Sequence, residues 1–207
     1  MEKPKKLVLA TGNQGKLIEL SRCLEDIDIE VESKPGCLEI EETGKTFMEN
    51  AILKARNVAV YTGQWAMADD SGLCVDCLGG KPGVESARYE STDERRIIRL
   101  LKEIADSGHQ GQGRTSAVFI TALALSNPEG VIVAEAIGQC NGFISEKARG
   151  NGGFGYDPIF IACGTNKTLG ELTKEEKDRI GHRGKALSIM KKNIIDLIKT
   201  GHFESNQ

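Results

Sequence analysis

The chain has 207 residues, of which 39% are hydrophobic and 28% charged, a balance typical of a soluble globular enzyme. This length is sufficient for one sizeable domain or two packed lobes. The formal net charge of −3 argues against a nucleic-acid partner, because broad electrostatic binders of nucleic acid carry an excess of basic residues. No apolar run approaches the ~20 residues of a membrane-spanning helix, so we expect no membrane partner.

The six cysteines are scattered along the chain, which is large enough to fold without disulfides. Reduced thiols are therefore the simpler interpretation, and we expect a cytoplasmic protein. The apolar stretch near the N-terminus is too short for a signal-peptide core. Cys74 and Cys77 form a C-x-x-C pair, but zinc would need two further ligands at suitable spacing. The default interpretation is that the two cysteines are buried or half-buried small apolar residues.

The hydrophobic periodicity predicts alternating strands and helices. Strands are predicted at 7–10, 29–31, 65–68, 116–125, 131–137 and 160–162. Helices are predicted at 17–27, from Thr46 to about Tyr61, from Ser91 to near Gly108, from Thr173 as a short helix, and through 187–197 up to Gly201. The chain contains no internal repeat and no linker, so we expect residues 1–207 to form a single α/β domain on a mixed sheet.

A glycine-bearing loop, Thr11-Gly12-Asn13-Gln14-Gly15-Lys16, separates the first strand from the first helix. The backbone N–H groups of such a loop and the helix dipole favour an anion such as phosphate. Lys16 lies in the first helical turn, where a cation opposes that dipole, and this local conflict is typical of a functional loop. The spacing is too short for a Walker A loop. An ordinary tight turn with a solvated lysine is the alternative.

Glu42, Asp69 and Asp70 are the acidic residues best suited to chemistry. The two aspartates follow the predicted strand 65–68, and strand ends are the usual place for ligand-binding groups in α/β sheets. Adjacent carboxylates can face opposite ways, so one can ligate a metal or activate water while the other holds the loop. Mg²⁺ needs only one or two carboxylates beside phosphate oxygens. The alternative is an Asp-rich turn shaped by Ser71-Gly72.

Two later segments carry groups that suit a nucleobase. The glycine-rich loop 152–158 contains two aromatic residues and Asp157. An aromatic face can stack on a base, and a carboxylate can accept from a ring N–H. His182 and Arg183 lie at the entry to the last helix and can donate to a carbonyl or phosphate oxygen. Core packing of the aromatic residues and a solvated basic turn are the respective alternatives.

Seven segments together resemble the inosine triphosphate pyrophosphatase family, which acts on noncanonical purine nucleoside triphosphates. They are L-A-T-G-N-Q-G-K (9–16), E-E-T-G-K-T-F-M-E-N-A (41–51), A-D-D-S-G-L (68–73), G-G-K-P-G-V-E-S-A-R-Y (79–89), G-G-F-G-Y-D-P-I-F (152–160), E-L-T-K-E-E-K (171–177) and G-H-R-G-K-A-L (181–187). Each segment alone is modest support, but seven in the family's order and spacing are highly specific. We find no departure at a functional position.

The resemblance implies hydrolysis of ITP, dITP and XTP by water attack on the α-phosphorus, which yields a nucleoside monophosphate and pyrophosphate and prevents incorporation of these nucleotides into DNA and RNA. It makes Asp70 the proton acceptor and a Mg²⁺ ligand, with Glu42 as a further Mg²⁺ ligand. The substrate-binding residues that it implies are Thr11, Gly12, Asn13, Gln14, Gly15, Lys16, Lys54, Ser71, Phe154, Gly155, Tyr156, Asp157, Lys177, His182 and Arg183. Within this set, the first loop, Lys54 and Lys177 would hold the triphosphate, and Phe154 would stack on the base.

The resemblance also implies a two-lobed fold on a long twisted mixed sheet with flanking helices, the nucleotide in the cleft between the lobes, and a homodimer. Donors directed at a purine keto oxygen would reject adenine, whose amino group would leave donors facing donors. Two alternatives stay open. One is a pyrophosphatase that acts on other modified or ordinary nucleotides, and the other is a nucleotide-sensing module that binds without turnover.

Overall fold

The computed structural model describes residues 5–108 and 114–203. The strands are β1 (Lys6–Leu9), β2 (Glu30–Ser33), β3 (Trp65–Val75), β4 (Thr115–Ser126), β5 (Ile132–Ile144) and β6 (Phe160–Ala162). The helices are α1 (Gln14–Leu24), α2 (Phe47–Thr62), α3 (Asp93–Asp106), α4 (Lys174–Ile180) and α5 (His182–Lys199). In the described ranges no helix is long and apolar enough to cross a membrane.

The strands form one mixed sheet with the order β2-β1-β3-β4-β5-β6. β1 pairs in parallel with both β2 and β3, and Leu7 lies opposite Val31 on one side and Trp65 on the other. Parallel neighbours need crossover connections, which α1 and α2 supply here. β5 pairs with β6 in antiparallel fashion, with Phe143 opposite Ile161. The predicted α/β class and mixed sheet are therefore confirmed.

The chain divides into two compact units. Unit 1 comprises residues 1–70, 122–137 and 186–207, and unit 2 comprises residues 71–121 and 138–185. The larger core cluster of unit 1 includes Leu7, Leu9, Leu20, Met67, Leu123, Met190 and Ile194. The core cluster of unit 2 includes Leu73, Leu100, Phe119, Tyr156, Ile159, Phe160 and Leu169. Each unit thus buries apolar side chains of its own, which is what stabilises a compact region.

β3 continues to Val75, well past the predicted strand 65–68. Asp69 and Asp70 therefore lie inside the strand, and the predictions of a strand end or an Asp-rich turn at this point are wrong. The strand can continue because each buried carboxylate has a polar partner: Lys16 of α1 for Asp69 and Asn50 of α2 for Asp70. Consecutive strand residues project to opposite faces, which gives the two acids different partners.

The structure confirms the predicted start of α2 and corrects the predicted start of α3. Thr46 and Glu49 form the predicted capping box at the start of α2. At α3 the cap is Thr92, whose side chain accepts from the Arg95 N–H at 3.2 Å, so the prediction that Ser91 begins this helix is wrong by one residue. The reason is that Thr92 has the extended backbone of an N-cap, with φ −132° and ψ 156°, which directs its hydroxyl at the first turn.

Candidate active site

The predicted phosphate loop, residues 11–16, joins β1 to α1 in unit 1. Asn13 is the N-cap of α1, and its side-chain oxygen accepts from the Lys16 N–H at 3.1 Å. Neither Gly12 nor Gly15 has a positive φ, so these glycines do not serve to form a left-handed turn. A Cβ on Gly12 would meet no atom within 4 Å. The loop therefore has open space beside its backbone, where a ligand can approach.

Lys16 extends from α1 to β3. Its ammonium nitrogen lies 2.9 Å from Oδ2 of Asp69, whose side chain is fully buried. Burial of either charge alone would be strongly unfavourable, so the two groups stabilise each other in this position. Lys16, which is predicted to bind phosphate, is therefore paired with a carboxylate in this structure.

Glu42, Lys54 and Asp70 form a second charged group in unit 1. Nζ of Lys54 lies 2.5 Å from Oε1 of Glu42 and 3.9 Å from Oδ1 of Asp70. The side chains of Lys54 and Asp70 are only 12% and 7% exposed, so solvent screens these interactions weakly. One ammonium between two carboxylates leaves this group of three with a net negative charge, which suits a divalent cation.

Asn50 is a buried residue that the sequence reasoning did not assign to the site. Its Nδ2 donates to Oδ2 of Asp70 at 2.9 Å, and its Oδ1 accepts from the Gly44 N–H at 2.7 Å. A Cβ at Gly44 would lie 2.6 Å from that oxygen, so only glycine lets the loop after Glu42 come this close. The signal available in the sequence was its position four residues before Lys54, which places both side chains on one face of α2.

Burial raises the pKa of the Asp70 carboxyl above its usual range. The charge of Lys54, the hydrogen bond from Asn50 and the charge of Lys16 oppose this rise, whereas the charge of Glu42 adds to it. A raised pKa makes the carboxylate a stronger proton acceptor, and the cationic and amide partners favour the ionised form that can accept a proton. Asp70 is thus suited to act as a general base.

In unit 2, Asp157 organises the base loop, which we define as residues 152–157. Its Oδ2 accepts from the Phe154 N–H at 2.9 Å and from the Lys177 ammonium at 2.7 Å. Gly153 has φ of 76°, and a side chain at this position would collide with Asp157. A glycine is therefore needed here for both conformation and space.

The Phe154 ring has two cations near its face. Nζ of Lys177 lies 4.9 Å and the guanidinium carbon of Arg183 lies 5.4 Å from the ring centroid, within the range of cation–π interactions. Nη2 of Arg183 also donates to Oγ of Ser71 at 3.0 Å. The structure thus brings five predicted substrate-binding side chains together in unit 2, those of Ser71, Phe154, Asp157, Lys177 and Arg183.

His182 and Tyr156 are two further buried members of the predicted set. The His182 ring stacks on Phe119, with centroids 4.5 Å apart and planes inclined by 8°. Tyr156 belongs to the core cluster of unit 2, and its hydroxyl donates to the carbonyl of Ser86 at 3.1 Å. Burial raises the pKa of the Tyr156 hydroxyl, so it stays protonated. For Tyr156 the structure favours the core-packing alternative.

The predicted residues therefore fall into two sets, one in each unit. The unit 1 set contains the loop 11–16, Glu42, Lys54 and Asp70, and the unit 2 set contains Ser71, the base-loop residues 154–157, Lys177, His182 and Arg183. The first set combines acids with lysines, which suits a metal and phosphates. The second combines an aromatic ring with hydrogen-bond donors, which suits a base.

Glu42 and Asp70, which both lie near the Lys54 ammonium, are two carboxylates that could hold a divalent metal. Across residues 5–108 and 114–203, no group of three or more His, Cys, Asp or Glu side chains is arranged to hold a metal ion. Two carboxylates fit Mg²⁺, because this ion takes its remaining ligands from phosphate and water. Cys74 and Cys77 are free thiols of intermediate exposure, and the default interpretation of the C-x-x-C pair stays a prediction.

Comparison with known proteins connects this chain to one family. The Ham1 family model matches residues 7–193. The dITP/XTP pyrophosphatase of Synechococcus sp. (strain CC9311) is 47% identical over 193 residues, which cover 93% of this chain and 91% of that protein. The dITP/XTP pyrophosphatase of Salmonella typhi is 45% identical and covers 95% of this chain and 99% of its own length. The solved structure of a HAM1 protein from Coxiella burnetii has a TM-score of 0.83 at 39% identity, over 92% of this chain and 98% of that one.

Proposed function

This chain belongs to the Ham1 family, and we propose that it hydrolyses the noncanonical purine nucleoside triphosphates ITP, dITP and XTP to nucleoside monophosphate and pyrophosphate. The activity named for the two relatives, dITP/XTP pyrophosphatase, supports this reaction. Its purpose is to keep these nucleotides out of DNA and RNA. The observation that carries the proposal is Asp70, a buried carboxyl with a raised pKa that lies near Glu42 and Lys54.

Asp70 is the proposed proton acceptor. The oxygen of a water molecule bonds to the α-phosphorus, the bond from this phosphorus to the α–β bridging oxygen breaks, and pyrophosphate leaves. The proton of the attacking water passes to a carboxylate oxygen of Asp70. The amide of Asn50 holds the other oxygen in place at 2.9 Å, so the accepting atom has a fixed position.

Glu42 and Asp70 are the proposed Mg²⁺ ligands, since the family's triphosphate chemistry is consistent with a divalent metal and two carboxylates fit Mg²⁺. When bound, Mg²⁺ supplies positive charge that neutralises the triphosphate oxygens. Lys54 exchanges its partners Glu42 and Asp70 for phosphate oxygens as the substrate binds, because ammonium–phosphate contacts are also charge-assisted. Lys16 stays paired with the fully buried Asp69 and offers its remaining N–H groups to phosphate. The exchange at Lys54 would leave Glu42 and Asp70 able to hold the metal.

The unit 2 set is proposed to recognise the purine, apart from the core residue Tyr156 and from Lys177, which is proposed to hold the triphosphate with Lys16 and Lys54. Phe154 stacks on the base, and the donors of His182 and Arg183 satisfy its keto oxygen. Adenine carries an amino group at the same position, which would leave buried donors facing donors, and polar sites reject such a mismatch strongly. The clustering of Phe154 with Arg183 and Lys177 supports this assignment.

The experiment is pyrophosphate release from ITP, XTP, GTP, ATP and dUTP, with and without Mg²⁺. We expect rapid Mg²⁺-dependent release from ITP and XTP and slow release from the other three. A preference for dUTP would contradict purine specificity. Nucleotide binding without release from any substrate would instead indicate a sensing module. Asp70→Asn serves as the control, and it should lose hydrolysis while it still binds nucleotide.

We further propose a cytoplasmic homodimer. All six cysteines are free, which suits a reducing compartment. In unit 1 the large apolar side chains of Val60, Tyr61 and Val131 are exposed, and a Cβ at Gly130 would lie 2.8 Å from Val60, so these residues come from adjacent elements. Exposed apolar patches mark interfaces. Light scattering should give twice the chain mass of 22.4 kDa, and a monomer mass would contradict the proposal.

A further inference from the structure

Two consecutive amides of the base loop are held by carboxylates from different elements of unit 2. The Phe154 N–H donates to Asp157 within the loop, at 2.9 Å. The Gly155 N–H donates to Oδ2 of Asp93 at 2.7 Å, across 62 residues of sequence. Gly155 has φ of 62°, a left-handed conformation. Asp93, the first residue of α3, thus supplies an acceptor from outside the loop at the point where the backbone reverses.

Asp93 is itself held in place. Its Oδ1 accepts from Nη1 of Arg96 at 2.5 Å, and Nε of Arg96 donates to the carbonyl of Glu90 at 2.9 Å. The N-cap of α3 is Thr92, which accepts from the Arg95 N–H. Capping of the helix therefore rests on Thr92, and the Asp93 carboxylate is used for the arginine and for the base loop. This division of roles indicates that Asp93 does more than start its helix.

We propose that Asp93 is a positioning residue for purine binding, which sets the direction of Phe154 by holding the amide of Gly155. The inference rests on the proposed function, in which Phe154 stacks on the base. Asp93 touches neither substrate nor reacting atoms. Loss of the Asp93 carboxylate therefore weakens the binding of ligands that contain the base. Triphosphate binding by Lys16 and Lys54 and the chemical step stay unchanged.

The test compares Asp93→Ala and Asp93→Asn with Glu94→Ala, which removes an exposed acid from the same first turn of α3. Calorimetry measures the Kd of α,β-methylene ITP, whose α–β bridge resists hydrolysis, and of inorganic tripolyphosphate, which lacks a base. For Asp93→Ala we expect the Kd of the analogue and the KM for ITP to rise about tenfold, because one charge-assisted hydrogen bond to a 46% exposed side chain is lost.

The other readouts should stay close to wild type. In Asp93→Ala, kcat and the Kd of tripolyphosphate should change less than about twofold, because the unit 1 set is intact and Lys177 keeps its contact with Asp157. Asp93→Asn keeps an acceptor oxygen, so its Kd for the analogue should rise no more than about threefold. Glu94→Ala should bind both ligands as wild type does. Asp93→Ser, which suits a helix N-terminus but is too short to contact Gly155, replaces the alanine variant if that variant does not fold.

Two results would overturn the proposal. One is a folded Asp93→Ala or Asp93→Ser variant that binds the analogue with wild-type affinity. The other is an equal loss of affinity for the analogue and for tripolyphosphate, which would indicate general damage to the fold. Absence of ITP turnover in the wild type would contradict the proposed function instead, and the ratio of the two affinities would still decide the role of Asp93.

Discussion

Replacement of Asn50 with alanine removes the buried amide that joins Gly44, in the loop after Glu42, to Asp70 of β3. Two hydrogen bonds disappear, the donation to Asp70 at 2.9 Å and the acceptance from the Gly44 N–H at 2.7 Å. A hydrogen bond to a charged group contributes about 1.5–3 kcal/mol, and loss of the acceptor for the half-buried Gly44 amide costs about 1 kcal/mol. We therefore expect the free energy of unfolding to fall by about 2.5–4 kcal/mol, a large share of the roughly 5–15 kcal/mol typical of a domain.

Urea unfolding followed by circular dichroism measures this loss, and Asn57→Ala is the matched control. Asn57 is an exposed residue of the same helix, and its Nδ2 donates to the carbonyl of Leu53 at 2.8 Å. Its replacement should change stability by less than about 1 kcal/mol. The activity of Asn50→Ala should also fall, because the amide helps to keep Asp70 ionised. Equal stability losses in the two alanine variants would refute the reasoning.

Three further predictions follow from the charges and backbone of the two sets. Asp70→Asn should be more stable than wild type at neutral pH. Burial raises the folded-state pKa of Asp70, so its ionised form destabilises the fold above that pKa. The advantage of asparagine should vanish as the pH falls below the unfolded-state pKa of 3.8. Urea unfolding across pH tests this, and equal stability of the two proteins at neutral pH would contradict it. Lys54→Met should raise the KM for ITP about tenfold through loss of one charge-assisted contact, and an unchanged KM would remove Lys54 from the triphosphate site. Gly153→Ala should lower the Tm more than Gly164→Ala, because both positions have positive φ but only the first would collide with Asp157; equal shifts would count against that contact.

The secondary structure was predictable from sequence where local signals decide it. The Thr46–Glu49 capping box marked the start of α2 correctly, because both hydrogen bonds lie within four residues. The end of β3 was not predictable in the same way. The rule that acidic residues follow a strand takes no account of distant partners, and here Lys16 and Asn50 allow buried carboxylates inside the strand.

The candidate site was likewise predictable from the sequence only in part. Residue spacing alone indicated metal-assisted phosphoryl chemistry, and the family resemblance supplied the substrate class and the individual roles. Asn50 and Asp93 were missed because their contacts span 20 and 62 residues of sequence. Tyr156 shows the opposite problem, since a tyrosine in a glycine-rich loop suits both base recognition and core packing. Only the burial of its ring in the core of unit 2 distinguishes the two.

The most direct test of the central claim is product analysis after hydrolysis of ITP with Mg²⁺ in water labelled with heavy oxygen. Attack at the α-phosphorus predicts equal amounts of IMP and pyrophosphate, with the label in the phosphate of IMP and none in pyrophosphate. Asp70→Asn should form neither product. Release of orthophosphate, or label in pyrophosphate, would contradict the proposed reaction, and so would a failure of the wild-type protein to turn over ITP.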